Sequence, residues 1–146
     1  MRDANGNFAV FDVPNAAATM AQSINRYGEV AGSFQTSSPS NKVGGCVRDS
    51  RGLFTTFAVP NAGLPPNVFI NDDGDVGGNF FDMSRGYTTR SFVRDGTGSL
   101  TVFDAPNASA AMATSINQDG DIAGNFVDAS QGSKVRGFVR RGQSWR

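Results

Sequence analysis

The sequence predicts an all-β protein built from three four-stranded antiparallel repeats of β-propeller-blade type, and three observations carry that expectation. The first is an ungapped internal repeat, sought first because a fixed period decides the architecture. Arg2, Arg48, Arg94 and Arg140 stand 46 residues apart. The same shift aligns Phe11 with Phe57 and Phe103, and Pro14-Asn15-Ala16 with Pro60-Asn61-Ala62 and Pro106-Asn107-Ala108. Ile24-Asn25, Ile70-Asn71 and Ile116-Asn117 coincide, followed by the columns Gly28, Gly74, Gly120 and Gly32, Gly78, Gly124 and Phe34, Phe80, Phe126. The second is local pattern: apolar positions alternate and turn residues recur at short intervals, the period of strands and not of helices. The third is size. A chain of 146 residues with 38% apolar residues and 18 glycines holds one domain with a real core, divided here into units 1–46, 47–92 and 93–138, with 139–146 opening a fourth.

Each unit reads as four short strands. The first is Cys46 to Asp49, with Phe92 to Asp95 and Phe138 to Arg141 as counterparts, and the second is Leu53 to Val59, matched by Asn7 to Val13 and Ser99 to Ala105. Asp3, Asp49 and Asp95 precede Gly6, Gly52 and Gly98 by three residues, the arrangement of an Asp-capped turn whose glycine takes the left-handed conformation. Pro14, Pro60 and Pro106 then remove a backbone donor and stop the ladder, so the next residues form a loop. The third strand ends in Ser-Ile-Asn or Phe69-Ile70-Asn71, an Asn-x-x-Gly turn follows, and the fourth strand runs Glu29 to Phe34, Asp75 to Phe81 and Asp121 to Val127. In that strand Val30, Gly32 and Phe34 point one way and Ala31 and Ser33 the other, leaving a small face that admits close sheet packing. The second strand carries Phe57 and Val59 on one face and Phe54 with Thr56 on the other, the pattern of a strand buried between two sheets.

Four antiparallel strands per 46 residues suit a propeller blade, with a β-trefoil as the alternative of the same size. The glycine-rich fourth strand and ends that fall inside a repeat favour blades. Because a closed propeller takes about 4 to 8 blades, three units imply either a longer array or association of copies. A homodimer closing a six-bladed ring is the simplest closed solution, and it would cover the edge strand Gly137 to Arg141.

Charge and composition narrow the function. Thirteen basic against thirteen acidic residues give no net field for nucleic acid or an anionic membrane, and no apolar run approaches the roughly 18 residues of a membrane span. The N-terminus MRDANGNF lacks a signal-peptide layout. With no histidine, Ser-His and Cys-His nucleophile arrangements are excluded, and the single Cys46 cannot form an internal disulfide.

The segments Gly137-Phe138-Val139-Arg140, Phe54 through Ala62 (FTTFAVPNA) and Ile116 through Phe126 (INQDGDIAGNF) resemble bacterial extracellular tandem repeats related to HAF-type repeats, over the whole chain. The sequence departs from them in Asn15, Asn61 and Asn107, where the family often has Gly, and in Cys46 within an aromatic column. The resemblance implies an exported, propeller-like array, and it carries no functional residues because the family's biochemical activity is unassigned.

The strongest chemical candidate is calcium. Asn71, Asp73 and Asp75, and behind them Asn117, Asp119 and Asp121, alternate oxygen side chains around a glycine turn as calcium loops do. The leading reading of both strings is still a structural turn, because the first unit keeps only Asn25, Gly28 and Glu29, and no twelve-residue loop with a closing Glu follows. No other cofactor is expected. Most of the thirteen acids fall in recurrent columns (among them Asp3, Asp49, Asp95; Asp12, Asp104; Glu29, Asp75, Asp121; Asp82, Asp128), which points to architecture over a catalytic pair. The arginine column is expected to pair with the adjacent Asp, with a ligand-binding ring as the alternative. Cys46 reads as a small buried hydrophobe. The units differ most at Gln35 to Gly44, Phe81 to Arg90 and Val127 to Arg136, at Leu64-Pro65-Pro66, which should stiffen a loop, and at Trp145. Variable loops on one rim are where a repeat array binds, although solvated linker is the leading reading of these segments. The expected function is therefore a non-enzymatic binding or scaffold module contacting a glycan or protein through its rim. The alternatives are a structural surface or filament subunit, and a carboxylate-dependent hydrolase acting in an assembled channel.

Overall fold

The computed structural model describes residues 5–142 as three antiparallel sheets without an α-helix. Arg2, Asp3 and Trp145 lie outside the described residues. The first sheet is a meander of β1 (Ala16–Ile24), β2 (Val30–Thr36), β3 (Val43–Arg48) and β4 (Phe54–Phe57). The second runs β5 (Asn67–Ile70), β6 (Val76–Asp82), β7 (Thr88–Arg94) and β8 (Leu100–Phe103), and the third has three strands, β9 (Ala108–Ile116), β10 (Ile122–Asp128) and β11 (Lys134–Arg140). One-turn 3-10 segments, Met83–Arg85 and Ala129–Gln131, join β6 to β7 and β10 to β11. The register repeats with the sequence: Gly32 faces Cys46, Gly78 faces Phe92 and Gly124 faces Phe138.

Each sheet is out of phase with the sequence units. A sheet opens after the Pro-Asn pair, so the hairpin that begins one sequence unit closes the preceding sheet. The reason lies in the turn at the boundary. In Val13-Pro14-Asn15-Ala16 the amide of Ala16 donates to the carbonyl of Val13, proline sits second, and Asn15 has φ 66°. This is a type II turn, which requires positive φ at its third residue and accepts Asn there. Val59 to Ala62 and Ala105 to Ala108 repeat it, with Asn61 at 62° and Asn107 at 61°.

Several expectations are corrected. Residues 7–13 belong to none of the three sheets, although their sequence matches β4 and β8. Those strands pair with β3 and β7, and among the described residues no strand stands in that relation to residues 7–13. The third sheet correspondingly has three strands. The strand at 54–57 is not buried on both faces: it is a sheet edge, with Thr55 and Thr56 exposed. The three sheets are open, and no strand of one pairs with a strand of another among the described residues. The trefoil alternative, whose barrel joins strands of all repeats, is therefore not the observed arrangement. Leu64-Pro65-Pro66 does more than stiffen a loop. It leaves β5 with four residues where β1 and β9 have nine, because proline has no N–H for the ladder.

The core lies between the sheets. Ala31, Val59, Val68, Ile70, Val76, Phe80 and Phe92 pack between the first and second, joined by Val47 and Phe57. Val93, Ala113 and Ile122 pack with Phe69, Phe103, Ile116 and Phe138 between the second and third. Ala31 and Ser33 are fully buried, so the small face expected of that strand does receive the next sheet. The opposite glycine column answers to backbone: a Cβ at Gly32, Gly78 or Gly124 would strike the carbonyl oxygen of Met20, Asn67 or Met112.

Candidate functional site

The meander gives each sheet two ends, one formed by the Asn-x-x-Gly and Asp-x-x-Gly turns and the other by the β2–β3, β6–β7 and β10–β11 loops. At the turn end the side chains follow one rule. The Asn71 carbonyl oxygen Oδ1 accepts from the backbone amides of Asp73 (3.0 Å) and Asp75 (2.9 Å), which folds the turn, and the amide of Gly74 closes it on the carbonyl of Asn71. Its Nδ2 donates to Asp75 Oδ2 and reaches the main-chain carbonyl of Asn117 in the third sheet at 2.9 Å. Asn25 does the same one sheet earlier, donating to the carbonyl of Asn71 at 3.1 Å. A second row runs beside it, from the Arg26 amide to Asp72 Oδ1 and from the Asp72 amide to Gln118 Oε1. The Asn column thus bonds each sheet to the next, a role that spacing alone did not reveal.

The six calcium candidates occupy these turns. Asn71, Asp73 and Asp75 sit in the second sheet's turn, and Asn117, Asp119 and Asp121 in the third's. Asp75 accepts from the Gly96 amide as well as from Asn71, and Asp121 accepts from the Gly142 amide, Asn117 and Arg141. Among the described residues no three His, Cys, Asp or Glu side chains gather into a metal-binding group.

The arginine column also has a different contact from the one expected. Asp49 folds its own turn, accepting from the amides of Arg51 and Leu53, and pairs with Arg51, while Asp95 accepts from Thr97 and Ser99. The guanidinium groups lie over rings: Arg48 over Phe11 at 4.8 Å, Arg94 over Phe57 at 5.1 Å and Arg140 over Phe103 at 4.8 Å. A cation over an aromatic face is attracted by the ring quadrupole, and burial of the ring edge strengthens it. Each of Arg94 and Arg140 thereby clasps the last strand of the preceding sheet.

The loop end diverges. In the second sheet Asp82 Oδ1 accepts from the amide and hydroxyl of Ser84, and Oδ2 from Arg90, which also makes a bidentate pair with Asp104. Asp128 repeats this with Ser130 and Arg136. Hydrogen bonds from Ser84 and Ser130 hold these two carboxyls below the usual carboxylate range. Asp49, Asp72, Asp95 and Asp121 are lowered as well, by donors within their turns or across to the neighbouring chain segment. The first sheet has Thr36 in that position, and its loop closes differently: Thr36 Oγ1 accepts from the Lys42 amide, and Asn41 sits at φ 46°.

Between the loop of the first sheet and that of the second lies a groove of about 580 Å³. Phe34, Val43, Phe57, Ala62 and Met83 give it apolar walls, and Asn41, Lys42 and Thr56 supply polar groups. The connection after β4 forms its floor: the amide of Met83 donates to the carbonyl of Asn61, and that of Gly63 to the carbonyl of Phe81. A Cβ at Gly63 would come within 2.7 Å of Met83 Cγ and Tyr87 Cε1, so any larger residue there would displace these two side chains. Tyr87 is exposed and held at φ 64°, a left-handed conformation that bulky residues rarely adopt. Of these residues the variable segments had indicated Asn41, Lys42, Val43, Met83 and Tyr87. Phe57 and Ala62 were hidden among the repeat's invariant columns, because the groove exists only where two sheets meet.

Cys46 is buried opposite Gly32, and burial pushes its thiol up to about 11, which fits an inert core residue. No helix among the described residues is long and apolar enough to cross a membrane. Searches with family models and against curated proteins gave no match to this chain.

Proposed function

We propose that the chain is a non-enzymatic binding module whose sheets are propeller-type blades, and that it takes an extended ligand, a glycan strand or a peptide, in the groove between the loops of the first and second sheets. The observation that carries this reading is the groove itself, apolar-walled with a few polar groups and placed at the end where the repeat diverges. Tyr87 stands beside the groove against Gly63, and its left-handed backbone belongs to the turn itself, since Ser133 in the third sheet's loop has the same φ of 64°. Asp82 and Asp128 at the loop end are each engaged by a serine of their own turn and by Arg90 or Arg136, a structural use of both carboxyls. Resemblance to HAF-type repeats adds export to the proposal. The test is binding to a glycan array and to a peptide library, repeated with Met83→Glu and Tyr87→Ala. A hit weakened about tenfold or more by either substitution, at unchanged melting temperature, supports the groove. Binding indifferent to both sinks it.

A second reading, a scaffold or filament subunit, is favoured by the apolar columns left exposed on the outer faces of the first and third sheets. In the same proposal two copies close a six-bladed ring. Solution mass distinguishes a ring of two from a growing filament.

A further inference from the structure

Among the described residues the first and second sheets have four strands and the third has three, while one β4-type segment stands outside all of them. Residues 8–11 carry the β4-type sequence, and Phe11 already lies under Arg48 as Phe57 lies under Arg94 and Phe103 under Arg140. They stand where the last strand of a preceding sheet would stand, yet apart from an isolated bridge at Phe8 they belong to none of the three sheets, and Phe8 and Val10 are 80% and 91% exposed. At the other end β11 is a β3-type strand paired only with β10 among the described residues. Among the described residues the chain thus presents a β4-type segment outside the three sheets and a β3-type strand paired on one side, and the two are complementary by the repeat.

The faces beside them agree. Ile24 is 56% exposed, whereas Ile70 in the same column is 7% exposed and packs between the first and second sheets. Val139 is 58% exposed, whereas Val93 in its column is 8% exposed between the second and third. The surfaces that form both internal junctions are therefore repeated, uncovered, on the outer sides of the first and third sheets. A second copy of this chain carries the matching surface for each.

We infer that the segment at Ala9–Phe11 of one copy adds as a fourth strand to β11 of a second copy, in the register that joins β3 to β4 and β7 to β8. Gly45 faces Phe57 and Ser91 faces Phe103, so Gly137 of the second copy faces Phe11; Cys46 faces Thr56 and Phe92 faces Val102, so Phe138 faces Val10. Strand addition supplies main-chain hydrogen bonds, and the valine and isoleucine columns supply apolar burial. The contact is heterologous, so two copies making it reciprocally close a ring and leave neither edge open. This inference rests on the two-copy reading of the proposed function and specifies its contact.

The test mixes a Val10→Cys chain with a Phe138→Cys chain under oxidising conditions, with light scattering on the native chain alongside. Cysteine at 138 has a precedent in Cys46 of the same column, whose own buried thiol stays unreactive. Directly opposed strand positions lie within disulfide reach, whereas Val10→Cys with Lys134→Cys is displaced by four residues, roughly 13 Å along the strand. Expected is a native mass of two chains and a crosslinked heterodimer for the first mixture only. A second variant, Val10→Pro, leaves the inter-sheet core untouched and should reduce the mass to one chain. A mass of two with no register-specific crosslink, or one indifferent to Val10→Pro, overturns the strand addition while the two-copy ring stands. A single-chain mass at every concentration overturns both. Masses that grow beyond two with the register-specific crosslink keep the strand addition and overturn the closed ring.

Discussion

The turn end and the loop end of the sheets are made from the same repeat and have opposite characters. At the turn end, Asn25, Asn71 and Asn117 hold one position in three sheets, and the first two reach the backbone of the sheet that follows. At the loop end the second and third sheets share an aspartate-capped 3-10 turn, while the first replaces it with a loop closed by Thr36. The contrast teaches where the repeat is held constant by geometry. A turn that must bond to its neighbour's identical turn cannot drift in one unit alone, whereas a loop bonded only to its own sheet can change sequence and shape.

The largest test of this contrast is Asn71→Ala. The side chain is buried and its four hydrogen bonds serve both its own turn and the third sheet. Removing it leaves buried amides unpaired, an expected loss of about 2–4 kcal/mol by urea denaturation. A loss no larger than that of an exposed alanine substitution would break the comparison.

Next in size is Asp82→Asn, read against pH. The folded-state pKa of Asp82 is lowered, first by the Ser84 hydroxyl and also by Arg90, so its contribution is present above the unfolded carboxyl value of about 3.9 and is lost as pH falls through the lower folded value. The variant should therefore be less stable than the native chain at pH 7, with the difference shrinking below about pH 4. A gap unchanged down to pH 2 would show that charge plays no part in closing this turn. The smallest effect is expected of Thr36→Val in the first sheet's loop, which removes one hydrogen bond near the surface. About 0.5–1 kcal/mol of thermal stability, with the core unaffected, is the expected cost. A larger loss would mean that this loop, like the turn end, supports the neighbouring sheet.

Much of the fold was legible in the residues. The 46-residue phase, the Asp-x-x-Gly and Asn-x-x-Gly turns and the small face at Ala31 and Ser33 are local or periodic signals, and each appears in the structure as an element or a buried contact. The sheet boundaries were not legible, because a repeat has no origin: only the hydrogen-bond ladder decides whether the hairpin at 46–59 opens one sheet or closes another. The arginine column was misread for a related reason. Arg48 is adjacent in sequence to Asp49, but strand alternation sends the two side chains apart, and Arg48 meets Phe11 from 37 positions away.

The candidate groove shows the same division. Its variable wall, Asn41 to Val43 and Met83, stood out as departures from the repeat. Its other wall, Phe57 and Ala62, carries residues that every unit has, and their exposure to the groove depends on how two sheets diverge at the loop end. The sequence by itself determined the strand class, the period, and the turns whose hydrogen bonds close within four residues, because these depend on local backbone preference and side-chain alternation. Only the tertiary structure decided which strands share a sheet, which aspartates join neighbouring segments, and where a groove opens. Those outcomes depend on contacts between residues dozens of positions apart, which a 46-residue period repeats but does not by itself assign.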